Sequence, residues 1–381
     1  MTNIFLQEDS IISPLGFTTS ENIQAIKEKR SGLKFHENSR STKGGFYSGI
    51  IDPQFLAAQF TVIGNPLNYT KLEQMMLLAA HRVLKDNPKI DLETTVLIIS
   101  STKGNIDLLD DPQDFPEDRV SLNLLANVIQ SFFGFKQKPI IVSNACISGG
   151  LAVTIAKRFI QAGKFSSALV VAGDLVSDFV ISGFQSFQAL SNSPCKPFSK
   201  NRNGINLGEA AAAILINSSS INNLNVALIG DATANDANHI SGPSRTGEGL
   251  LKSIQSALKD AKLSASEIDY LSAHGTATVF NDEMEAVAFN RAGLAEVPVN
   301  SFKAFYGHTL GASALIETIL TKHSLLNNEL YPSLNFEELG VSKPINVIEE
   351  FEERELQFAL KTASGFGGSN LAMVLKKLRN G

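Results

Sequence analysis

One segment of the chain sets its architecture: Pro139-Ile-Ile-Val-Ser-Asn-Ala-Cys-Ile-Ser-Gly-Gly-Leu-Ala-Val-Thr154. Its first half is an apolar, β-branched run typical of a buried strand, and its second half is typical of a helix. Cys146 lies at the turn between them, where its thiol would be presented at the edge of a sheet. The free N–H groups and the positive end of the helix dipole would favour the thiolate. An isolated cysteine is more often a small buried apolar residue, so the nucleophile interpretation depends on the rest of the chain.

Three further glycine-containing turns follow strand-like runs. They are Ser272-Ala-His-Gly-Thr-Ala-Thr278 with His274, Asn300-Ser-Phe-Lys-Ala-Phe-Tyr-Gly-His308, and Ala363-Ser-Gly-Phe-Gly-Gly-Ser-Asn370. Each of them alone could be an ordinary bend. Because open α/β sheets bind ligands at the carboxyl ends of their strands, the four turns together predict one site with a thiol and two histidines.

Strand-like and helix-like segments alternate along the whole chain. Buried strands are predicted near residues 95–99, 140–142, 168–172 and 212–216, with amphipathic helices between them. The polar run Asn217-Ser-Ser-Ser-Ile-Asn-Asn223 interrupts the alternation, which then restarts. The pattern predicts two similar α/β halves, residues 1–220 with the nucleophile and residues 221–381 with the two histidines. Each half is expected to have helices over a mostly parallel sheet.

The composition excludes several classes of protein. The 381 residues are 43% hydrophobic and 19% charged, which is typical of a globular chain with a sizeable core. No signal segment and no apolar run of membrane-spanning length is evident, so a cytoplasmic location is expected. The net charge of −5 argues against nucleic-acid binding. Cys146 and Cys195 provide neither a disulfide framework nor a zinc-binding spacing, and no metal is expected.

The four turns, taken together, resemble those of a known family. They are similar to the turns of the β-ketoacyl-acyl-carrier-protein synthases of the elongating, two-histidine type, the condensing enzymes of fatty-acid and polyketide assembly. The segments Ser10-Ile-Ile-Ser-Pro-Leu-Gly-Phe17 and Lys196-Pro-Phe-Ser-Lys-Asn-Arg-Asn-Gly-Ile-Asn-Leu-Gly-Glu209 also resemble that family. The resemblance covers essentially the whole chain. It implies a thiolase-like fold, two α/β halves stacked as αβαβα layers with the site between them, and a homodimer.

The resemblance also implies the catalytic roles. Cys146 would attack an acyl thioester and carry the acyl chain. His274 and His308 would donate hydrogen bonds to the enolate oxygen that forms when a malonyl thioester loses carbon dioxide. Lys303 and Glu317 would hold the histidines and the thiol in position.

The remaining site residues would bind the substrate. The backbone N–H groups of Cys146 and Phe366 would form the oxyanion hole, and the Phe366 ring would gate the thiol. The residues expected to contact the substrate or to permit its close approach are Thr276, Thr278, Gly365, Gly367 and Gly368. No bound cofactor is expected, because phosphopantetheine would arrive on the carrier protein.

Acyl carrier protein is the expected partner, and it is acidic in this family. Relatives carry a basic cluster in the stretch that corresponds to residues 65–75, where this chain has only Lys71 as a cation. Docking through few charges is therefore expected, with weak dependence on ionic strength. A heterodimer with a second ketosynthase-like subunit, and a dedicated polyene or other polyketide-like pathway, stay open.

Three other functions are alternatives to that of a condensing enzyme. A thiolase would need a second cysteine near the C-terminus, and the chain has none after Cys195. A starter-type condensing enzyme would use an asparagine, whereas Asn300 lies in a predicted strand and His308 occupies the second turn. The main alternative is a non-catalytic partner such as a chain-length factor, although such relatives typically lack the nucleophile. Ile147 and Ala314 depart from the family's smaller residues and bear on acyl specificity.

Overall fold

The computed structural model describes residues 3–37, 45–112, 114–219, 224–236 and 242–379. Its strands are β1 (Phe5–Ile12), β2 (Lys34–His36), β3 (Phe46–Gly49), β4 (Thr95–Ser100), β5 (Ile140–Val142), β6 (Ser167–Asp174), β7 (Leu207–Gly208), β8 (Ala210–Asn217), β9 (Leu224–Asn235), β10 (Tyr270–Ser272), β11 (Pro298–Asn300), β12 (Glu329–Leu330), β13 (Asn346–Val347), β14 (Glu352–Glu353), β15 (Phe358–Gly365) and β16 (Ser369–Arg379). Its α-helices are α1 (Thr19–Lys27), α2 (Pro53–Phe60), α3 (Lys71–Asp86), α4 (Leu122–Phe133), α5 (Ser148–Gln161), α6 (Asp178–Ser186), α7 (Glu248–Ala261), α8 (Val279–Arg291), α9 (Lys303–Tyr306) and α10 (Ser313–Asn327).

Two halves with the same topology share one continuous sheet. The strand order is β13-β11-β10-β15-β16-β9-β1-β8-β6-β4-β5, and a short β1–β9 pairing joins the halves. In the first half β5, β4 and β6 are parallel while β8 and β1 are antiparallel. In the second half β11, β10 and β15 are parallel while β16 and β9 are antiparallel. The prediction of two similar halves is confirmed.

The expectation of a mostly parallel sheet is wrong, because the sheet is mixed. Strands β15 and β16 are joined by the short turn at residues 366–368, and strands joined by so short a turn can only pair antiparallel. Strand β8 likewise runs antiparallel to both of its neighbours, β6 and β1. Hydrophobic runs predict that a strand is buried, but they carry no information about its direction.

The helices form the outer and middle layers. Helix α3 packs on β1, β6 and β8, and helix α7 packs on β9 and β16. Helices α5 and α10 pack on each other between the two halves of the sheet, and nearly every residue of α10 is buried. An apolar core fills each space between layers. This arrangement confirms the αβαβα layering.

The proposed boundary between the halves, at residues 220 and 221, lies outside the described residues. Within the described ranges no helix combines the length and the apolar character needed to cross a membrane.

Candidate active site

The turn that holds Cys146 is sharp and internally braced. Ala145 has a positive φ of 44°, which is costly for a residue with a Cβ atom. The Ser148 hydroxyl accepts the Asn144 N–H at 2.7 Å and donates to the Ala145 carbonyl at 2.6 Å. Helix α5 then begins at Ser148. The Cys146 side chain is buried at this point, with the residue 7% exposed.

A carboxylate holds the His274 turn after β10. Glu285 on α8 accepts the backbone N–H groups of His274 and Gly275, each at 2.7 Å. Asp282, one turn earlier on α8, accepts the Thr276 N–H at 3.0 Å. Both acids were visible in the sequence motif, but their part in holding the turn was not predicted.

His308 is fixed by its backbone and leaves its ring free. Its N–H donates to the Asn206 carbonyl at 2.7 Å, and its own carbonyl accepts the Gly208 N–H at 3.0 Å. Both ring nitrogens are buried, and neither has a hydrogen-bond partner among the described residues. A buried polar atom without a partner is uncommon in a protein interior, so this ring is available to a substrate.

The structure brings Cys146, His274 and His308 together. The Cys146 Sγ and one nitrogen of each imidazole all lie within 4.8 Å of one another. The two imidazole rings meet edge to face, with their centroids 5.2 Å apart. One compact site therefore contains residues that are up to 162 positions apart in the sequence, counted from Cys146 to His308 (308 minus 146).

Lys303 is fully engaged in this site. Its ammonium lies 2.5 Å from Glu317 Oε1, 2.8 Å from the His274 carbonyl and 3.3 Å from His274 Nδ1. An ammonium can only donate, so His274 Nδ1 accepts and the ring carries its proton on Nε2. Lys303 is 1% exposed, which rules out the simpler interpretation that it is a surface cation.

Burial sets the protonation of the site. It raises the pKa of the Cys146 thiol to about 11, although Lys303, Lys103 and the Phe366 N–H act in the opposite direction. The thiolate predicted from the helix dipole is therefore not the resting form. Burial, reinforced by Lys303, holds the pKa of both His274 and His308 well below the usual range. The site rests as a thiol beside two neutral imidazoles.

The turn at residues 365–368 closes over Cys146. The Phe366 N–H donates to the Cys146 sulfur, and a Cβ atom on Gly365 would lie 3.0 Å from the Cys146 nitrogen. Gly367 and Gly368 have φ values of 82° and 78°, which favour glycine. The Phe366 ring stacks on Phe184 with centroids 5.5 Å apart.

A cavity of about 330 Å³ opens onto this site. Phe184, Phe187 and Phe280 form part of its apolar lining, and Cys146, both histidines and the 365–368 turn also border it. Thr276 and Thr278 line it with hydroxyls 2.9 Å apart. The Thr278 hydroxyl also accepts the Asn281 N–H at the start of α8, so this residue has a capping function as well.

Sequence reasoning missed Lys361, which lies on β15 and is buried. Its Nζ is 2.7 Å from Glu317 Oε2. A single lysine within the apolar run Phe358-Ala-Leu-Lys-Thr-Ala363 could have been noticed, since a buried ammonium needs a partner.

Two other residues have structural roles. Lys71 forms an ion pair with the buried Glu209, so it is held inside the fold instead of being free to dock a partner. Asn300 accepts the Tyr270 hydroxyl at 2.6 Å and donates to the Tyr331 carbonyl at 2.9 Å. Its amide is thus occupied in the core, in agreement with the case against a starter-type site.

Two family models match this chain. The β-ketoacyl synthase N-terminal domain matches residues 9–221, and the β-ketoacyl synthase C-terminal domain matches residues 226–337. The chain belongs to the β-ketoacyl synthase family. Members of this family are condensing enzymes of the acyltransferase class.

Two relatives align with this chain over different shares of its length. A putative mitochondrial 3-oxoacyl-[acyl-carrier-protein] synthase of Schizosaccharomyces pombe is 26% identical over 96% of this chain and 97% of its own length. The 3-oxoacyl-[acyl-carrier-protein] synthase 2 of Staphylococcus aureus is 30% identical over 61% of this chain and 60% of its own length.

Solved structures confirm the thiolase-like fold. A chain of the complex between the ketosynthase ApeO and its chain length factor ApeC, from Xenorhabdus doucetiae, matches with a TM-score of 0.87 at 23% identity, and the match covers 98% of both chains. The ishigamide ketosynthase/chain length factor matches with a TM-score of 0.85 at 22% identity over 100% of both chains.

Proposed function

We propose that this chain is a 3-oxoacyl-[acyl-carrier-protein] synthase that condenses an acyl group on Cys146 with a malonyl thioester. The observation that carries the proposal is the approach of the Cys146 sulfur and both imidazoles to within 4.8 Å of one another at the cavity. Both rings are neutral, and the ring nitrogens of His308 have no hydrogen-bond partner within the part of the chain that the structure describes. A site of this kind can both accept and donate protons.

Acyl transfer comes first. Cys146 forms a bond to the acyl carbon while the bond to the carrier's thiol breaks, so one thioester replaces another. Because Cys146 starts as a thiol, its proton has to leave during attack, and the neutral His308 ring is placed to accept it. The proton then passes to the departing pantetheine thiolate. The N–H groups of Cys146 and Phe366 stabilise the tetrahedral oxyanion, a contribution of about 10²- to 10³-fold for one such donor.

Condensation follows at the same sulfur. The malonyl thioester loses carbon dioxide, and the electron pair of the broken C–C bond forms an enolate. His274 donates to the enolate oxygen through Nε2–H, the atom left free by the contact of Lys303 with Nδ1, and His308 donates the second hydrogen bond. The carbanion attacks the acyl carbonyl and Cys146 leaves as the thiolate, which is reprotonated. Phe366, stacked on Phe184, gates the thiol between the two steps.

The proposed partners are an acyl carrier protein, which brings phosphopantetheine, and a second synthase-like subunit or a second copy of this chain. Among the structural neighbours, AntDE:AntF is described as a type II polyketide acyl-carrier protein in complex with its ketosynthase, and ApeO is in complex with a chain length factor. These support a polyketide-like pathway as a proposal. Since Lys71 is paired internally, docking through few charges stays the expectation. The cytoplasmic location also stays a prediction.

A partner subunit without its own catalysis is the second candidate. It is favoured by the likeness to structures that contain a chain length factor. The buried Cys146, His274 and His308 weigh against it, because a subunit that only shapes a pocket would not need this set.

Intact mass distinguishes the two candidates. The protein is mixed with a medium-chain acyl-carrier protein, beside the Cys146→Ala variant. We expect an acyl-sized increment on the wild type only. No increment with any acyl donor would overturn the synthase proposal and favour the partner subunit, which would then co-purify with an active synthase.

A further inference from the structure

Lys361 is a second buried cation beside the histidines. It lies near the middle of β15 and is 0% exposed. Its Nζ donates to the carbonyls of Ala273 and Ser272 at 3.3 and 3.4 Å, and to the carbonyl of Thr362. Ser272 is the last residue of β10, and Ala273 lies between it and His274. Lys361 is therefore tied to the backbone that carries the histidine.

Lys361 also shares a carboxylate with Lys303. Glu317 Oε1 accepts from Lys303 at 2.5 Å and from the Ser313 hydroxyl at 2.9 Å, while Oε2 lies 2.7 Å from Lys361 Nζ. The two ammonium groups hold the carboxylate from both sides. With one oxygen held by Lys361, the other is aimed at Lys303, whose ammonium in turn meets His274 Nδ1 at 3.3 Å.

Packing alone does not require a lysine here. Burial of an ammonium is costly unless the group is paired, and an unbranched apolar side chain would fill the same space in the strand. Burial lowers the pKa of Lys361, and the ion pair with Glu317 opposes this effect. Apart from its contact with the neighbouring Thr362 carbonyl, the residue thus occupies a costly position whose contacts converge on the segment before His274 and on Glu317.

We propose that Lys361 is a positioning residue for His274, which clamps Glu317 and the Ala273 carbonyl so that the Lys303 ammonium stays on Nδ1 and the ring proton stays on Nε2. Its importance for turnover rests on the proposed function, since Nε2 is the atom that would donate to the enolate. The effect of Lys361 on the His274 tautomer does not depend on the proposed function. Lys361 touches neither substrate nor the reacting atoms, and acts through Glu317 and Lys303.

Nuclear magnetic resonance of the protein with ¹⁵N-labelled histidine reads the tautomer without substrate. The His274 signals are assigned by their loss in His274→Gln. In the wild type we expect an unprotonated Nδ1 and a protonated Nε2. In Lys361→Met we expect both nitrogens to shift toward the average of a tautomer mixture. Lys361→Gln removes the positive charge that holds Glu317 and is a second variant, with the same expected shift, should the methionine variant fail to fold.

Kinetics provide a second readout. Decarboxylation of a malonyl thioester is expected to fall about 10- to 100-fold in kcat in Lys361→Met, because misplacement of a donor by a fraction of an ångström is costly. KM is expected to change little, and acylation of Cys146 is expected to stay within about twofold, because that step does not use the enolate donor.

Removal of the Lys361 charge is also expected to change the pH dependence of decarboxylation. The titratable groups that face His274 are Lys303 from α9, His308 from the following turn, Cys146 from the start of α5, Glu285 from α8 and Lys361 from β15. Lys361 is one of the cations that hold the pKa of His274 low. Its removal is expected to move the acid limb of decarboxylation to higher pH.

Lys157→Met is the matched control. Lys157 is equally buried, in ion pairs with Asp231 and Asp260, and its removal is expected to lower the melting temperature without altering the His274 signals. The proposal is overturned if folded Lys361→Met or Lys361→Gln keeps the wild-type ¹⁵N shifts and decarboxylates within twofold of the wild type. A wild type that neither decarboxylates malonyl thioesters nor condenses would instead defeat the proposed function, while the tautomer result would still stand.

Discussion

At the scale of single residues, the protonation state of Cys146 has the largest influence on the chemistry of the site. Burial holds the thiol in its neutral form although two lysines and a backbone N–H favour the thiolate. The same burial keeps His274 and His308 neutral. A thiol next to a neutral imidazole can pass its proton only when attack begins, which keeps the free protein unreactive until the substrate is bound.

Alkylation by iodoacetamide tests this protonation state. Only the thiolate reacts, and the pKa of Cys146 is raised to about 11. The rate constant is therefore expected to rise about tenfold per pH unit from pH 7 to pH 9. The experiment uses a Cys195→Ala background, so that Cys146 is the only cysteine left. A rate that levels off below pH 8 would show that the helix dipole, and not burial, controls the thiol.

Sequence alone singled out Cys146 and the two histidines, because Cys146 lies at a strand-to-helix turn and each histidine lies in a glycine-containing turn with its own motif. It also pointed to Lys303 and Glu317 through the family resemblance. Lys361 carries no motif, and its relevance comes from a contact with Glu317, 44 positions earlier in the chain (361 minus 317). Long-range contacts of this kind depend on how the strands and helices pack on one another, and a local sequence pattern does not predict that packing.

At the scale of elements, the contact between α5 and α10 positions the turns that hold Cys146 and His308. Helix α5 begins two residues after Cys146, and α10 begins five residues after His308. Gly149 makes the contact close: a Cβ atom there would lie 2.8 Å from the Gly311 carbonyl and 2.8 Å from the Leu315 Cβ. The absence of a side chain thus sets the distance between the helices that follow Cys146 and His308.

Gly149→Ala is expected to destabilise the protein by about 1–3 kcal/mol, the usual cost of overpacking, and to slow acylation of Cys146. The measurement is the urea midpoint together with the acylation rate. Gly183→Ala in α6 is the control, because among the described residues no atom outside its chain neighbours and its own helix backbone lies within 4 Å of its Cβ position. Removing a helical glycine without a clash is expected to stabilise by about 0.5–1 kcal/mol. Equal effects of the two variants would contradict the close contact.

The alternation of strands and helices could be predicted from the sequence, as could the capping box at Ser264 and Glu267. The order of the strands and the antiparallel direction of β8 could not. The broad apolar surfaces of helices α5 and α10 predict that both helices are buried. Only the assembled structure shows that they lie between the two halves of the sheet.

At the scale of the whole molecule, a buried ion cluster ties the first half to the second. Asp9 on β1 accepts from Lys322 at 2.5 Å and lies 2.9 Å from His323 Nε2, both on α10. The Thr19 hydroxyl also donates to Asp9 at 2.7 Å. Burial alone would raise the pKa of Asp9, but Lys322 and His323 together hold it well below its usual value.

Asp9→Asn is expected to lower the free energy of unfolding by about 3–5 kcal/mol at pH 7, because the buried Lys322 loses its carboxylate partner and keeps only the Gln7 carbonyl. The folded pKa of Asp9 is depressed, so its contribution is fully present above the unfolded value of about 4 and declines as pH falls below it. The difference between the two proteins should therefore narrow as the pH falls below 4. Thermal unfolding at each pH measures it.

Glu338→Gln is the control for this prediction. Glu338 pairs with Lys200 at the surface, where both side chains are more than 60% exposed, and such pairs contribute little. We expect no measurable change in the melting temperature for this variant. A similar loss in both variants, or a difference for Asp9→Asn that grows toward acid pH, would contradict the role of the cluster.

Product formation in a single turnover bears directly on the proposed chemistry. Protein acylated on Cys146 is mixed with malonyl-carrier protein, and the mass of the carrier-bound product is recorded. The wild type should yield a 3-oxoacyl-carrier protein two carbons longer than the acyl donor, with release of carbon dioxide. Cys146→Ala should release carbon dioxide from the malonyl group and form no condensation product. Full condensation by Cys146→Ala, or none by the acylated wild type, would contradict condensation on Cys146.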